Sequence, residues 1–473
     1  MIRLTHSTAL PLGTDPARVI DHLGRVRVLW RTFPSWGGLL HVRSEGHEAA
    51  VVLRATPGAT RWLNRITRAS VTMDIPSLNA TTTFSGPRLD PIHLISRVVP
   101  ADDDTGGWRL DEAFESIALP GGFQRALEQW LRFRARRVPA DLQWLDAERN
   151  DQPAGGRLYL LSGASGLLGR AISAYLLSAG HRVRQLVRRE PRGIGECRWD
   201  PAAGQLDATA LDDVHGVIHL SGENVAGARW STAFKQRVLD SRVKSTNLLA
   251  QAMAALPADE RPAVFVCASG AGYYGCDARG PRDEAAPAGT NDFLAHVCSE
   301  WEAACEPARD AGVRTVNLRM GVVVAAADGV LARLAPIFRF GIGGPIGNGR
   351  QPMSWAAIDD VVGAIARCLG DERLIGPVNV ATPTTPTNRE FTRDLGRALD
   401  RPAFLPVPSL AVNMLFGEMG RTVLLGGQAA IPAALQRVGH RFMFDQPQLA
   451  MRYELGRLRP RDVDSSDTVQ RTA

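Results

Sequence analysis

A chain of 473 residues exceeds what one ordinary hydrophobic core needs and predicts two or three domains. Its composition, 45% hydrophobic and 22% charged, is that of a globular protein and excludes a fibrous or wholly disordered chain. The formal charge of +6 rests almost entirely on arginines spread along the sequence, so it marks no nucleic-acid-binding stripe.

The first residues, MIRLTHSTALPLG, have no sustained apolar segment and read as mature protein, and no apolar run later in the chain is long enough to span a bilayer. Cys197, Cys267, Cys276, Cys298, Cys305 and Cys368 form no CxxC pair; free thiols in a reducing cytoplasm are expected, and no metal site. Within residues 1–150 the blocks RVRVLW, GLLHVRS, EAAVVLRA and ASVTMDI read as strands. The segment FQRALEQWLRFRARRV follows, with Leu127, Trp130, Leu131 and Phe133 at helical spacing, and its RFRARR run is expected to be a solvated face. An α+β domain is implied, an antiparallel sheet closed by a long helix. AERNDQPAGG at 147–156 is the linker candidate.

From residue 157 the texture changes. RLYLLSG, RVRQLV, GVIHLSG, AVFVCASG and TVNLRMGVVV are apolar strands separated by helix-length stretches, the pattern of a doubly wound parallel α/β sheet. RLYLLSGASGLLGRAISAYLL places Gly163, Gly166 and Gly169 between a strand and a helix. There they permit a tight turn, close approach to a pyrophosphate and close helix–strand packing, with the helix N-terminus facing the phosphates. The next strand, RVRQLV, ends in Arg188 and Arg189 rather than an acid, which favours the 2′-phosphate of NADP over NAD.

GASGLLG, HLSGENVAGARW, SRVKST, ASGAGYYG, DFLAHVCSEWE and SWAAIDDVVGAI, in this order, resemble the extended short-chain dehydrogenases/reductases. More narrowly the chain is similar to an epimerase-like NAD(P)-binding family with an extra C-terminal domain of the DUF1731 type, over about 157–455. The resemblance implies a Rossmann-type domain at 157–400 and the extra domain at 401–455, and the charged and polar composition of 456–473 predicts a disordered tail. Residues 1–150 more faintly resemble the helix-grip domains of polyketide cyclases and lipid-transfer proteins. The resemblance also implies that Gly163, Ser165, Gly166, Leu167, Leu168 and Gly169 line the cofactor together with Leu220, Ser221 and Gly222, and that Arg188 contacts the adenosine phosphate. Glu223 and Asn224 could face substrate, while Asp359-Asp360 would brace the return of the chain.

The family's proton donor is a tyrosine with a lysine four residues later, one face of a helix. No YxxxK occurs in this sequence: Val297, Cys298, Trp301 and Glu302 occupy the expected helix, and Gly270 falls where a serine is expected. Ser269, Tyr274 and Glu302 are the candidate catalytic groups, with Tyr273, Cys298 and Glu223 as alternatives. Arg229-Trp230, Lys235 and Arg242 could recognise an anionic substrate or the cofactor phosphates, or be solvated helix charges. The expected function is an NAD(P)-dependent epimerase or oxidoreductase acting on a small molecule; the alternative is a non-catalytic dinucleotide sensor. Neither nucleic acid nor membrane is an expected partner, and a homodimer is left open.

Overall fold

A computed structural model of the chain describes residues 2–11, 14–25, 28, 31–32, 39–45, 48–54, 68–86, 89–101, 107–116, 121–147, 156–276, 280–290, 292–459, 462 and 470–472. It divides into two units, one of residues 1–147 with 174–180 and 451–473, the other of residues 148–173 and 181–450. Residues 401–450 cluster with the second unit and form no unit of their own. The linker candidate lies mostly outside the described residues.

The first unit is built on strands β1 (Ile2–Ala9), β2 (Leu39–Glu45), β3 (Glu48–Arg54), β4 (Arg68–Asp74), β5 (Asn79–Gly86), β6 (Leu89–Pro100) and β7 (Trp108–Ser116). They form an antiparallel sheet in the order β2-β3-β4-β5-β6-β7-β1. Helix α1 (Pro16–Gly24) follows β1, and α2 (Gly121–Ala147) follows β7. The strand Gln470–Thr472 adds to the free edge of β1, so the tail is not wholly unpaired; open backbone donors and acceptors at a sheet edge recruit such a segment. RVRVLW departs from its expected strand: Val28 is helical and its N–H bonds Arg25 O at 2.8 Å, with Thr32 Oγ1 returning to Val28 O.

RFRARR is not the solvated face that its charge suggests. Arg134 and Arg137 are buried, with Arg132 and Arg136 half-buried. Arg134 forks onto Glu112 of β7 at 2.7–3.1 Å, both side chains 2% exposed, and Ser96 of β6 donates to the same carboxylate. Helix periodicity showed which residues share a face; it could not show that a carboxylate on the preceding strand neutralises one of them. Arg134→Ala leaves Glu112 buried and uncompensated, so it is expected to cost about 3–5 kcal/mol of first-unit stability, read by denaturant unfolding of the full chain.

The second unit carries β8 (Leu158–Ser162), β9 (Arg182–Val187), β10 (Glu196–Asp200), β11 (Gln205–Leu206), β12 (Gly216–His219), β13 (Val264–Gly270), β14 (Arg314–Met320) and β15 (Gly376–Val380). The order is β11-β10-β9-β8-β12-β13-β14-β15, parallel except at β10–β11. From β8 the chain winds outward through β9 and β10, then returns to β8's other side at β12. The carboxyl ends of β8 and β12 therefore flank a topological switch point, where this class of sheet binds its ligand.

Helices α3 (Leu167–Ser178), α4 (Thr232–Ala255), α5 (Phe293–Ala303) and α6 (Ile358–Gly370) alternate with these strands. Leu249 and Met253 of α4 and Trp301 of α5 pack with Leu160, Val217 and Phe265 in one core cluster. Each such large apolar side chain contributes about 1.5–3 kcal/mol when fully buried. The C-terminal segment contributes α7 (Ser409–Met419), in which Gly417 takes φ 58. Asp360 of α6 is fully buried and accepts the Met443 N–H from the returning chain. Burial pushes its carboxyl well above the usual range. No helix among the described residues is long and apolar enough to cross a membrane.

Candidate functional site

The turn from β8 to α3 depends on backbone pressed against backbone. Gly163 has φ +73, and a Cβ there would stand 2.9 Å from Leu220 C and 3.1 Å from Ser221 N. A Cβ at Gly169 would come within 2.1 Å of Gly163 O. Neither position admits a side chain, one because the β8 and β12 ends touch, the other because α3 packs onto its own loop. Gly166 closes the turn by donating to Gly163 O at 2.9 Å. Ser165 and Gly166 are exposed, Leu167 and Leu168 half-buried. The first N–H groups of α3, which have no intrahelical acceptor, lie in this exposed turn, and the cradle fits a dinucleotide pyrophosphate.

The loop is held from behind by a polar chain. Ser162 Oγ lies 2.6 Å from His219 Nδ1, and His219 Nε2 lies 3.0 Å from Ser245 Oγ. Burial, with Arg242 adding, lowers His219 to about 3, so the ring is neutral near pH 7. At the end of β9, Arg189 is engaged by Glu196 at 2.5–2.7 Å, an arrangement that holds the Glu196 carboxyl down to about 2. Arg188 beside it is exposed and has no hydrogen bond or ion pair among the described residues.

Ser269, Tyr274 and Glu302 are brought together, by residues the sequence analysis did not name. Ser269 Oγ donates to Glu302 Oε1 at 2.7 Å. Arg319 of β14 forks onto the same carboxylate, Nε to Oε1 at 2.9 Å and Nη2 to Oε2 at 2.8 Å. Its Nη1 donates to Tyr274 OH at 3.1 Å, and Tyr274 OH donates to Asn379 Oδ1 at 2.8 Å. Glu284 completes the array by accepting the Asn379 and Ala434 N–H groups at 3.0–3.2 Å. Arg319 Cζ stands 3.4 Å from the ring centroid of Tyr273.

Tyr274 thus has its proton and a lone pair both in use, and burial raises its pKa against the pull of Arg319 and Asn379. Cys298 is a buried neutral thiol, pushed up to about 11 by burial with Glu302 adding. Val297, Cys298 and Trp301 of α5 are buried and Glu302 is half-buried, so none of the four residues at the expected Tyr and Lys positions is a tyrosine or a lysine. Lys235 pairs with Glu418 and Lys244 with Asp240, so neither lysine replaces the missing one. Glu223 and Asn224 are exposed beyond β12, Asn224 accepting the Ala226 N–H at 3.0 Å. A sequence signal for the missed network did exist: Arg319 is a charge near the end of a strand that reads as buried in a parallel sheet, and a buried charge demands a partner.

Comparison with known proteins bears on the same residues. The model of the NAD dependent epimerase/dehydratase family matches residues 159–381, and that of the domain of unknown function DUF1731 matches 407–453. An epimerase family protein of Mycobacterium tuberculosis is 45% identical over 282 residues, 60% of this chain and 92% of the relative. The crystal structure of human epimerase family protein SDR39U1 with NADPH matches with TM-score 0.58 and 32% identity, covering 64% of this chain and 100% of that one. The crystal structure of a nucleoside-diphosphate sugar epimerase from Corynebacterium glutamicum reaches TM-score 0.74 at 26% identity, covering 96% of this chain and 90% of that one.

Gly169→Ala drives a methyl group into the Gly163 carbonyl. It is expected to open the β8–α3 turn and lower dinucleotide affinity by at least roughly a hundredfold, the effect of misplacing a built binding loop by about 1 Å. Calorimetric titration of the variant against wild type measures it.

Proposed function

The chain belongs to the NAD dependent epimerase/dehydratase family, with a DUF1731 domain at its C-terminal end, and from that premise we propose that it binds NADP(H) in preference to NAD(H). The observation that supports this preference is Arg188: a guanidinium without a partner, at the end of the second strand, where the adenosine ribose approaches. The human relative solved with NADPH agrees with it. The pyrophosphate would rest on Ser165, Gly166, Leu167 and Leu168, and the nicotinamide half would pass Leu220, Ser221 and Gly222 toward Ser269 and Gly270. Bound there, the nicotinamide supplies a hydride donor or acceptor.

The leading reading is an oxidoreductase or epimerase that works on a small molecule, a sugar-linked one included, without the Tyr–Lys acid. In it Ser269, Tyr274 and Glu302 position the strand ends, and Tyr274 gives up its proton only when substrate displaces Asn379. The closed Ser269–Glu302–Arg319–Tyr274–Asn379 array favours a second reading, a dinucleotide sensor without turnover. In either, the first unit is a helix-grip domain, as its strand order and long α2 suggest, whose interior is occupied by the Arg134–Glu112 pair.

Arg188→Ala is expected to weaken NADPH by roughly tenfold or more while leaving NADH within about twofold, the value of one charge-assisted contact to phosphate. An unchanged NADPH-to-NADH ratio contradicts the assignment. NADPH consumption by the full chain with sugar nucleotides that carry a carbonyl separates the two readings. Tyr274→Phe then abolishes turnover at unchanged NADPH affinity if Tyr274 is the proton donor; if it only braces the strands, the variant loses about 1–3 kcal/mol of stability and keeps its turnover.

A further inference from the structure

Two hydrogen-bond donors stand in contact at the carboxyl edge of the second sheet; among the described residues one has no acceptor and the other has no ion-pair partner. The Arg242 guanidinium bonds only within its own helix, to Val238 O at 3.0 Å and Ser241 Oγ at 3.4 Å. Among the described residues no carboxylate pairs with it. Its Cζ lies 4.9 Å from the ring centroid of Trp301, whose indole Nε1 is buried without a partner. Gly222, exposed just past β12, bounds the same spot: a Cβ there would stand 3.2 Å from Arg242 Cζ and 3.4 Å from both terminal nitrogens. Lys235, the other cation of this cluster buried to a comparable degree, is engaged by Glu418 at 2.5 Å.

A partly buried guanidinium with no carboxylate in ion-pair reach among the described residues, and only the more distant charge of exposed Glu223 to offset it, is costly to keep, and the residues around it are suited to admit an anion from outside. Trp301 gives the guanidinium a flat aromatic face to lie on, which fixes the plane of its fork. The missing side chain at Gly222 lets the chain after β12 lie over the flat face of the guanidinium, since a Cβ there would stand almost equally far from Cζ and from both terminal nitrogens.

We propose that Arg242, stacked on Trp301 and framed by Gly222, binds an oxyanion of the substrate, a phosphate or a carboxylate, beside the nicotinamide. This deepens the reading given under Proposed function and rests on it. A planar fork makes two parallel hydrogen bonds to either oxyanion, so it orients the substrate as well as attracting it.

The test uses the full chain saturated with NADPH, so that the phosphate loop and Arg188 are occupied. Inorganic phosphate and, separately, succinate are titrated calorimetrically against wild type, Arg242→Gln, Arg242→Lys and Gly222→Ala. Wild type is expected to bind one probe saturably, and the probe that binds names the oxyanion class. Arg242→Gln should weaken that binding roughly tenfold or more, with a smaller loss for Arg242→Lys and NADPH affinity held within about twofold. Gly222→Ala, which keeps the charge but presses a methyl group against the guanidinium face and shifts the fork, should weaken it as well. No saturable binding by NADPH-loaded wild type, or binding unchanged in Arg242→Gln, overturns the proposal. So does an NADPH affinity lowered roughly tenfold in Arg242→Gln with probe binding intact, which would make Arg242 a cofactor ligand. Failure of wild type to bind NADPH at all contradicts the cofactor reading itself, and this proposal with it.

Discussion

The second unit depends on one close approach. β8 and β12 lie side by side with their carboxyl ends in backbone contact, and Gly163, at positive φ, is what lets them meet. A side chain at 163 would push against Leu220 and Ser221, and one at 169 would lift α3 off the turn. The same absence of side chains exposes the backbone that a pyrophosphate needs. Packing and binding therefore make a single demand on the sequence, and the loop cannot be relaxed for one without losing the other.

Beyond that loop, the ends of β13 and β14 are tied by charge rather than by apolar packing. Arg319 gathers Glu302 from α5, Tyr274 from the turn after β13 and, through Tyr274, Asn379 from β15. Each group in the array balances another, so a buried arginine and a buried carboxylate are tolerated. The consequence for chemistry is that the groups best placed to move protons are already committed to each other. Arg242 has no such ion-pair partner among the described residues, and with Arg188 it is one of the charges at this edge proposed to meet a ligand.

Most of the second unit was legible in the sequence because its signals are local. Short apolar strands, helix-length intervals and the glycine spacing at 163, 166 and 169 each lie within about twenty residues, and the parallel sheet follows from them. The absence of YxxxK was equally plain, and the buried Val297 and Trp301 agree with it. What the sequence did not disclose was pairing at a distance. Arg319 meets Tyr274 from 45 residues away and Asn379 meets Glu284 from 95, and no spacing rule joins them. The Arg134–Glu112 pair escaped for the same reason, since an arginine inside an amphipathic helix reads as solvated until its carboxylate is found on another element. At RVRVLW, a β-like composition was overridden by hydrogen bonds back to Arg25 and Val28.

The central claim is that this edge of the sheet holds a dinucleotide and reads its 2′-phosphate. Parallel calorimetric titrations of nucleotide-free wild-type chain with NADPH and NADH, at one ionic strength, test it most directly. The account predicts saturable NADPH binding, with NADH weaker by roughly tenfold or more. NADH binding as tightly as NADPH would contradict the role of Arg188, and no binding of either would contradict the site.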